Sequence, residues 1–328
     1  MSMTKTNPAS RTGLLAALPG GFRAGLRHWR VIVLGWLAGL LTATLAALPV
    51  FALFNRALGE HPDASGIVRG SDIAPLADAL MTLPDGGLTA ALAPLSEGIS
   101  SAVIVSLLLA PWLAGMLVAS LREGRVLRFG ELWAGGWREY GRQFRLLLVS
   151  LIPWIGVGLV AAIASFWARH GDDTRILQSV GEQRQQIAMW LMLAAGFLTW
   201  TSIESARAAF AADTTLRSAF HAWLRGLKLM ARRPLAVLLV MLVTTALGLA
   251  VAMALQRPAI NPRIATGLVL GLAQLTVVVL WWTRIARLHA LAAISPAPTP
   301  APAIDAPLPA APVAAPASNI APPLPSSY

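Results

Sequence analysis

The 328-residue chain contains no cysteine, and Asp, Glu, Lys and Arg together make up only 12% of it. Without a thiol there is no disulfide, no thiolate nucleophile, no iron–sulfur cluster and no cysteine-type zinc site. The five histidines, His28, His61, His170, His221 and His289, fall in five separate segments. None of these has HExxH or another local ligand spacing, so no metal site is expected. The sequence also lacks GxSxG, GxxxxGKS/T and GxGxxG, which leaves serine-triad, P-loop and dinucleotide chemistry without a local foothold. No catalytic residue and no cofactor are expected.

What fills the chain instead is apolar. Hydrophobic residues make up 56% of it and mean hydropathy is +0.64, against roughly 45–50% apolar residues in an ordinary soluble domain. Charge-free apolar runs occupy residues 31–54, 99–121, 146–168, 187–203, 235–255 and 264–283. A hydrocarbon core of about 30 Å needs ~20 helical residues, so each run is predicted to be a transmembrane helix. The shortest continues helically past Glu204 toward Ala212. The fold class expected is therefore all-α integral membrane, with residues 1–294 as a six-helix membrane domain. The first run begins at Val31 and is too long for a signal-peptide core, so it reads as a retained span.

Six spans put both termini on one side. Lys and Arg number five before the first span, six in 122–145, six in 204–234 and two after the sixth, 19 in all, against seven on the opposite side. Basic residues are retained on the cytoplasmic face, which predicts cytoplasmic termini. The same division accounts for the net charge of +11 without nucleic acid, and no nucleic-acid partner is expected. Trp29, Trp133, Trp137, Trp167, Trp190, Trp200, Trp223, Trp281 and Trp282 lie near predicted boundaries as an aromatic belt.

The cytoplasmic approach to each odd-numbered span carries a similar amphipathic stretch. Phe22, Leu26 and Trp29 recur at helical spacing beside Arg23, Arg27 and Arg30. Trp133, Trp137, Tyr140 and Phe144 do so beside Arg138, Arg142 and Arg145. Leu216, Phe220, Trp223, Leu227 and Met230 do so beside Arg217, Arg225, Lys228 and Arg232. Without gaps, GFRAGLRHWR (21–30) parallels GWREYGRQFR (136–145), and FRAGLR (22–27) parallels WLRGLK (223–228). Aromatic and arginine faces at this spacing identify helices lying at headgroup depth. The architecture expected is three parallel repeats, each an interfacial elbow followed by two spans. Arg23, Arg27, Arg30, Arg138, Arg142, Arg145, Arg225, Lys228 and Arg232 are the candidate contacts for anionic lipid. Membrane lipid is the partner expected; no protein partner is indicated.

Outside the spans, the loop 55–98 has six acidic and two basic residues. In it Ile73, Leu76, Leu80 and Leu83 predict an interfacial helix after Asp72, and Pro84-Asp85-Gly86-Gly87 predicts a turn. From Ser295 to Tyr328, 11 of 34 residues are Pro and Asp305 is the only charge. That segment reads as a disordered cytoplasmic tail with polyproline II bias, and PPLP (322–325) is its candidate ligand motif. Within the spans, Pro111-Trp112 and Pro153-Trp154 are expected to kink helices and to shape a groove. Gly35-Gly39 and Gly267-Gly271 are GxxxG pairs through which the first and sixth helices would pack. Glu204 and Arg207, one turn apart, read as an ion pair at the cytoplasmic boundary.

The stretch LAPWLAGMLVASLREGRVLRFGELWAGGWREYGRQFRLLL (109–148), with Phe129, Gly130, Glu131, Leu132 and Trp133 at its centre, resembles a loose group of bacterial polytopic inner-membrane proteins of unknown function. ARAAFAADTTLRSAFHAWLRGLKLMARRP (206–234) also resembles that group, and the membrane domain attached to some glycerophosphodiester phosphodiesterases. The phosphodiesterase catalytic domain has no counterpart here, so the resemblance implies a six-helix membrane protein with no catalytic residue to carry over. An Ala-, Leu- and Arg-rich composition agrees with a bacterial inner membrane. Three functions follow as expectations, in this order: a non-enzymatic scaffold or lipid-associated accessory factor, a permease for a neutral or amphipathic solute, and a membrane-embedded enzyme. A permease would need a polar path through Thr42, Thr44, Thr199, Thr244, Thr245 and Gln274.

Overall fold

Helix boundaries in this chain follow the few residues able to stop a helix. The computed structural model describes residues 14–58, 87–170, 178–260 and 265–295. They form α1 (Leu14–Arg27), α2 (Trp29–Leu58), α3 (Gly87–Arg122), α4 (Phe129–Arg169), α5 (Gln178–Ala212), α6 (Ala219–Arg232), α7 (Pro234–Gln256), a 3₁₀ turn (Arg257–Ile260) and α8 (Thr266–Ile294). No strand occurs among the described residues. Six helices, α2, α3, α4, α5, α7 and α8, are long and apolar enough to cross a membrane. The protein is an all-α, multi-pass membrane protein. The helix expected at 73–83, the turn at 84–86 and the tail beyond Ser295 lie outside the described residues.

Two elbows end where the sequence breaks the helix. Pro234 opens α7 at its first turn and holds Arg233 outside the helical region, at φ −135° and ψ 56°, because a residue before proline is kept from the α conformation. His28 separates α1 from α2, its Nδ1 donating back to the Ala24 carbonyl at 2.7 Å. The middle elbow departs from expectation. Residues 129–145 are the first part of α4, one unbroken helix of 41 residues, since nothing between Phe129 and Leu146 interrupts the ladder. Its start is fixed by Glu131, whose carboxylate accepts from the Arg128 backbone N–H at 2.7 Å, a helix-opening arrangement.

The elbows pack in a cycle. α1 lies on α8, the first part of α4 on α3, and α6 on α5. Each elbow thus covers the second span of the preceding unit, and the first elbow covers the last span. Between membrane helices there is little hydrophobic drive, so close approach through small residues carries the packing. The elbow glycines supply it. A methyl at Gly25 would lie 2.5 Å from Trp282 Cδ1, at Gly136 2.7 Å from Trp112 Nε1, and at Gly226 2.6 Å from the Ala206 backbone nitrogen. Gly21 faces the Ala286 carbonyl as closely. In the sequence comparison Gly21 aligns with Gly136 and Gly25 with Gly226.

The packed core therefore sits at the elbow end. Residues 111–120 of α3 are all buried, as are Thr201–Ala206 of α5 and Ile285–Leu288 of α8. Farther along, large side chains stay uncovered: Ile99, Val103, Ile104, Leu107 and Leu108 on α3, and Ile155, Leu159, Ile163 and Phe166 on α4. The charge-free run 99–121 thus divides into an outward-facing part and a part buried beneath α4. The sixth span, expected to end at Thr283, continues as helix to Ile294. His289-Ala290-Leu291-Ala292-Ala293-Ile294 gives it a further apolar turn and a half to bury against α1.

α3 and α4 run helically through Pro111 and Pro153. Trp112 is buried and meets Trp133 edge-on at 4.5 Å between ring centroids, whereas Trp154 is 44% exposed. Trp112 packs beside Gly136, and Trp154 lies about 27 Å further along α4 at ~1.5 Å per residue. The two Pro-Trp pairs therefore frame no common groove. Gly35 packs on Trp281, and a methyl at Gly39 would be 3.6 Å from Val277 Cγ1, while Gly267 and Gly271 face open space. The first and sixth spans meet, but only through the first of the two glycine pairs.

Candidate functional site

Two cationic features lie at the elbow end. The first is the set of elbow arginines. Arg23, Arg27, Arg138, Arg145, Arg225, Lys228 and Arg232 are exposed, beside Trp29, Trp133, Trp137 and Phe220, which are also exposed. The remaining two of the nine candidates turn inward. Arg30 donates to the Leu127 carbonyl at 2.8 Å, and its guanidinium lies over Trp29 and Phe129 at 5.5 and 5.7 Å from the ring centroids. Arg142 pairs with buried Glu139 at 3.2 Å. The same carboxylate takes Arg122 at 2.5 Å, and Arg122 also donates to the Phe210 carbonyl at 2.9 Å, tying α3 and α4 to the end of α5. Among the exposed cations, Arg225 is paired with Asp213. The Thr215 hydroxyl, then its backbone N–H and Arg225, hold the Asp213 carboxyl below the usual carboxylate range against the opposing effect of burial.

The second feature is a cavity of about 500 Å³ between α5, α7 and α8. Its polar end is made by Glu204, Arg207, Arg284, Arg287 and Thr245, and its apolar end by Leu249, Val277 and Leu280, with Trp200 and Trp281 between. Glu204 is 1% exposed and Arg287 6%. Arg207 donates to Glu204 Oε1 at 2.6 Å. Arg287 donates to the Thr245 hydroxyl at 3.2 Å and lies over the Trp200 ring at 4.2 Å. Arg284 lies over Trp281 at 4.8 Å.

The ion pair expected for Glu204 and Arg207 is formed, and it is enclosed within the bundle. Glu204 lies eight residues inside the end of α5, and Arg287 seven inside the end of α8, some 10–12 Å into the bundle at ~1.5 Å per residue. Covering elbows make the difference: α6 closes over α5 and α1 over α8, so residues that local sequence places at an interface are enclosed. Arg284 and Arg287 lie just beyond the charge-free run that ends at Thr283, so local sequence places them outside the sixth span. The apolar turns after Arg287 were the signal that the helix goes on.

Polar residues among the six named for a path make these contacts. Thr42 and Thr44 donate to the Gly39 and Leu40 carbonyls of their own helix at 3.0 and 2.8 Å, and Thr244 to Val240 at 2.7 Å. Gln274 accepts from Trp36 at 2.8 Å. Of the six, only Thr245 lines the cavity. Among the described residues no group of three His, Cys, Asp or Glu side chains is placed to hold a metal ion.

No family model, curated protein or solved structure matches the chain.

Proposed function

We propose that this is a multi-pass protein of the bacterial inner membrane with both termini cytoplasmic. It acts without catalysis, as a lipid-associated accessory or scaffold protein whose elbows hold anionic headgroups. The observation supporting this reading is the juxtaposition of exposed cations and exposed aromatics on all three elbows: Arg23 and Arg27 with Trp29, Arg138 and Arg145 with Trp133 and Trp137, and Lys228 and Arg232 with Phe220. Aromatic rings at headgroup depth fix the height of an amphipathic helix, and cations beside them then meet lipid phosphates.

Each Lys or Arg near an anionic leaflet contributes about 1 kcal/mol, roughly a fivefold preference. Native mass spectrometry of the full chain released from mixed anionic and zwitterionic lipid measures that preference. Wild type is expected to retain anionic lipid selectively, and Arg138→Gln with Arg145→Gln to lose most of the selectivity contributed by the middle elbow. Arg142 is left intact because it neutralises Glu139. Equal retention of both lipid classes by wild type would leave the arginines as topology markers and nothing more.

A further inference from the structure

We propose that the cavity between α5, α7 and α8 is a binding site for one oxyanion-headed amphiphile, its head among Arg207, Arg284 and Arg287 and its chain along Trp281, Val277 and Leu249. The inference does not rest on the elbow arginines, which face outward; it comes from the charge balance inside the bundle. The cavity wall carries three guanidinium groups and a single carboxylate. Buried charge of one sign is costly unless a counter-charge meets it, and ionisable groups within membrane helices mark ligand or ion sites. Here two positive charges remain after Glu204 is counted.

Hydrogen bonding gives the same answer independently. The Nε atoms of Arg207 and Arg287 and the Oε2 atom of Glu204 are buried without a partner. Arg284 stacks on Trp281 and donates no hydrogen bond among the described residues. Buried polar groups are nearly always satisfied, so the two open Nε donors mark where an oxyanion sits, while the open acceptor on Glu204 faces the guanidinium side of the site. Glu204 engages Arg207, which leaves Arg284 and Arg287 as the two principal donors. A guanidinium presents its N–H groups as a planar fork suited to carboxylate and phosphate oxygens.

The remainder of the wall specifies what the anion is attached to. From Arg287 back to Val277 is ten residues of α8, about 15 Å, over which the lining changes from charged to wholly apolar. Leu249 and Leu280 are 53% and 48% exposed, so this end communicates with the outer, lipid-facing surface of the bundle. A polar head enclosed at the elbow end and a chain lying toward the membrane middle match a molecule inserted in the leaflet on that side. A fully hydrated ion would leave the apolar half unfilled. Apolar pockets with a few convergent polar groups and volumes of roughly 300–1,000 Å³ are typical of small-ligand sites.

The test is equilibrium binding of radiolabelled oleoyl lysophosphatidic acid to the full chain in zwitterionic nanodiscs. One saturable site per chain is expected, with no competition from the uncharged monooleoylglycerol. Arg284→Gln and Arg287→Gln are each expected to weaken it at least about tenfold, the value of one charge-assisted hydrogen bond. Leu249→Trp fills the apolar end without touching a charge and is expected to abolish saturable binding, so the assignment stays testable if the arginine variants fail to fold. Inorganic phosphate separates the sources of the anion: millimolar phosphate is expected to leave binding intact, and full displacement by it would overturn the amphiphile assignment. Absence of a saturable site in wild type, or unchanged binding by folded Arg287→Gln or Leu249→Trp, would overturn the site itself.

Discussion

Asp213 shows how a single side chain can be read for its pH dependence. It is buried at the turn between α5 and α6 and accepts from the Thr215 hydroxyl at 2.6 Å and the Thr215 N–H at 2.8 Å, a local Asx turn. Arg225 closes it from α6. Because the folded carboxyl titrates below its ordinary value, the stabilisation is fully present above the unfolded value of about 3.9 and is lost as pH falls through the folded value beneath it. Asp213→Asn is therefore expected to unfold at a lower temperature than wild type at neutral pH, by an amount corresponding to about 1 kcal/mol. The gap should narrow as pH falls below about 3.9 and close beneath the depressed folded value, where wild type carries a neutral side chain too. A gap that stays constant with pH would show that the ionised carboxylate contributes nothing. The spacing of Glu204 and Arg207 was legible in the sequence, but their burial was not, because the other half of the cluster, Arg284 and Arg287, comes from some eighty residues downstream.

At the scale of elements, the three-and-four spacing read in the sequence falls largely within α1, the first part of α4 and α6. What the spacing does not encode is the joint between an elbow and its span. Arg233-Pro234 carries its own break. The middle elbow carries none, and the same amphipathic pattern is satisfied there by a helix that runs straight on. The glycines shared by the repeats turn out to mark contact rather than flexibility. Gly226→Ala is expected to push α6 from α5 and to destabilise by about 1–3 kcal/mol, as overpacking does. Gly141, on an exposed stretch of α4, has nothing within 4 Å of where a methyl would go. There Gly→Ala is expected to be neutral or stabilising by roughly 0.5–1 kcal/mol. Thermal unfolding of the two variants in one detergent decides it; equal effects would mean that the elbow contact carries no energy.

Over the whole molecule, the apolar runs located every span but do not tell which parts of them other helices cover. Hydropathy cannot distinguish Ile99–Leu108, which is largely uncovered, from residues 111–120, which are wrapped by another part of the protein, since both are equally free of charge. Basic-residue counts are independent of that distinction and rest on the loops. Reporter fusions after Pro62 and after Ser295 are expected to report from opposite sides of the membrane, outside and cytoplasmic respectively. Two reporters on one side would show that a span has been miscounted.

The cyclic arrangement of the elbows also bears on how the protein is made. α1 leaves the ribosome long before α8, yet the surface that covers Gly21 and Gly25 belongs to Ala286 and Trp282. The other two elbows meet their partners as soon as they emerge, because α3 precedes α4 and α5 precedes α6. α1 must instead wait until α8 has been translated and inserted. Closure of the ring is therefore late: in a polypeptide arrested before α8, the glycine face of α1 has not yet met Ala286 and Trp282.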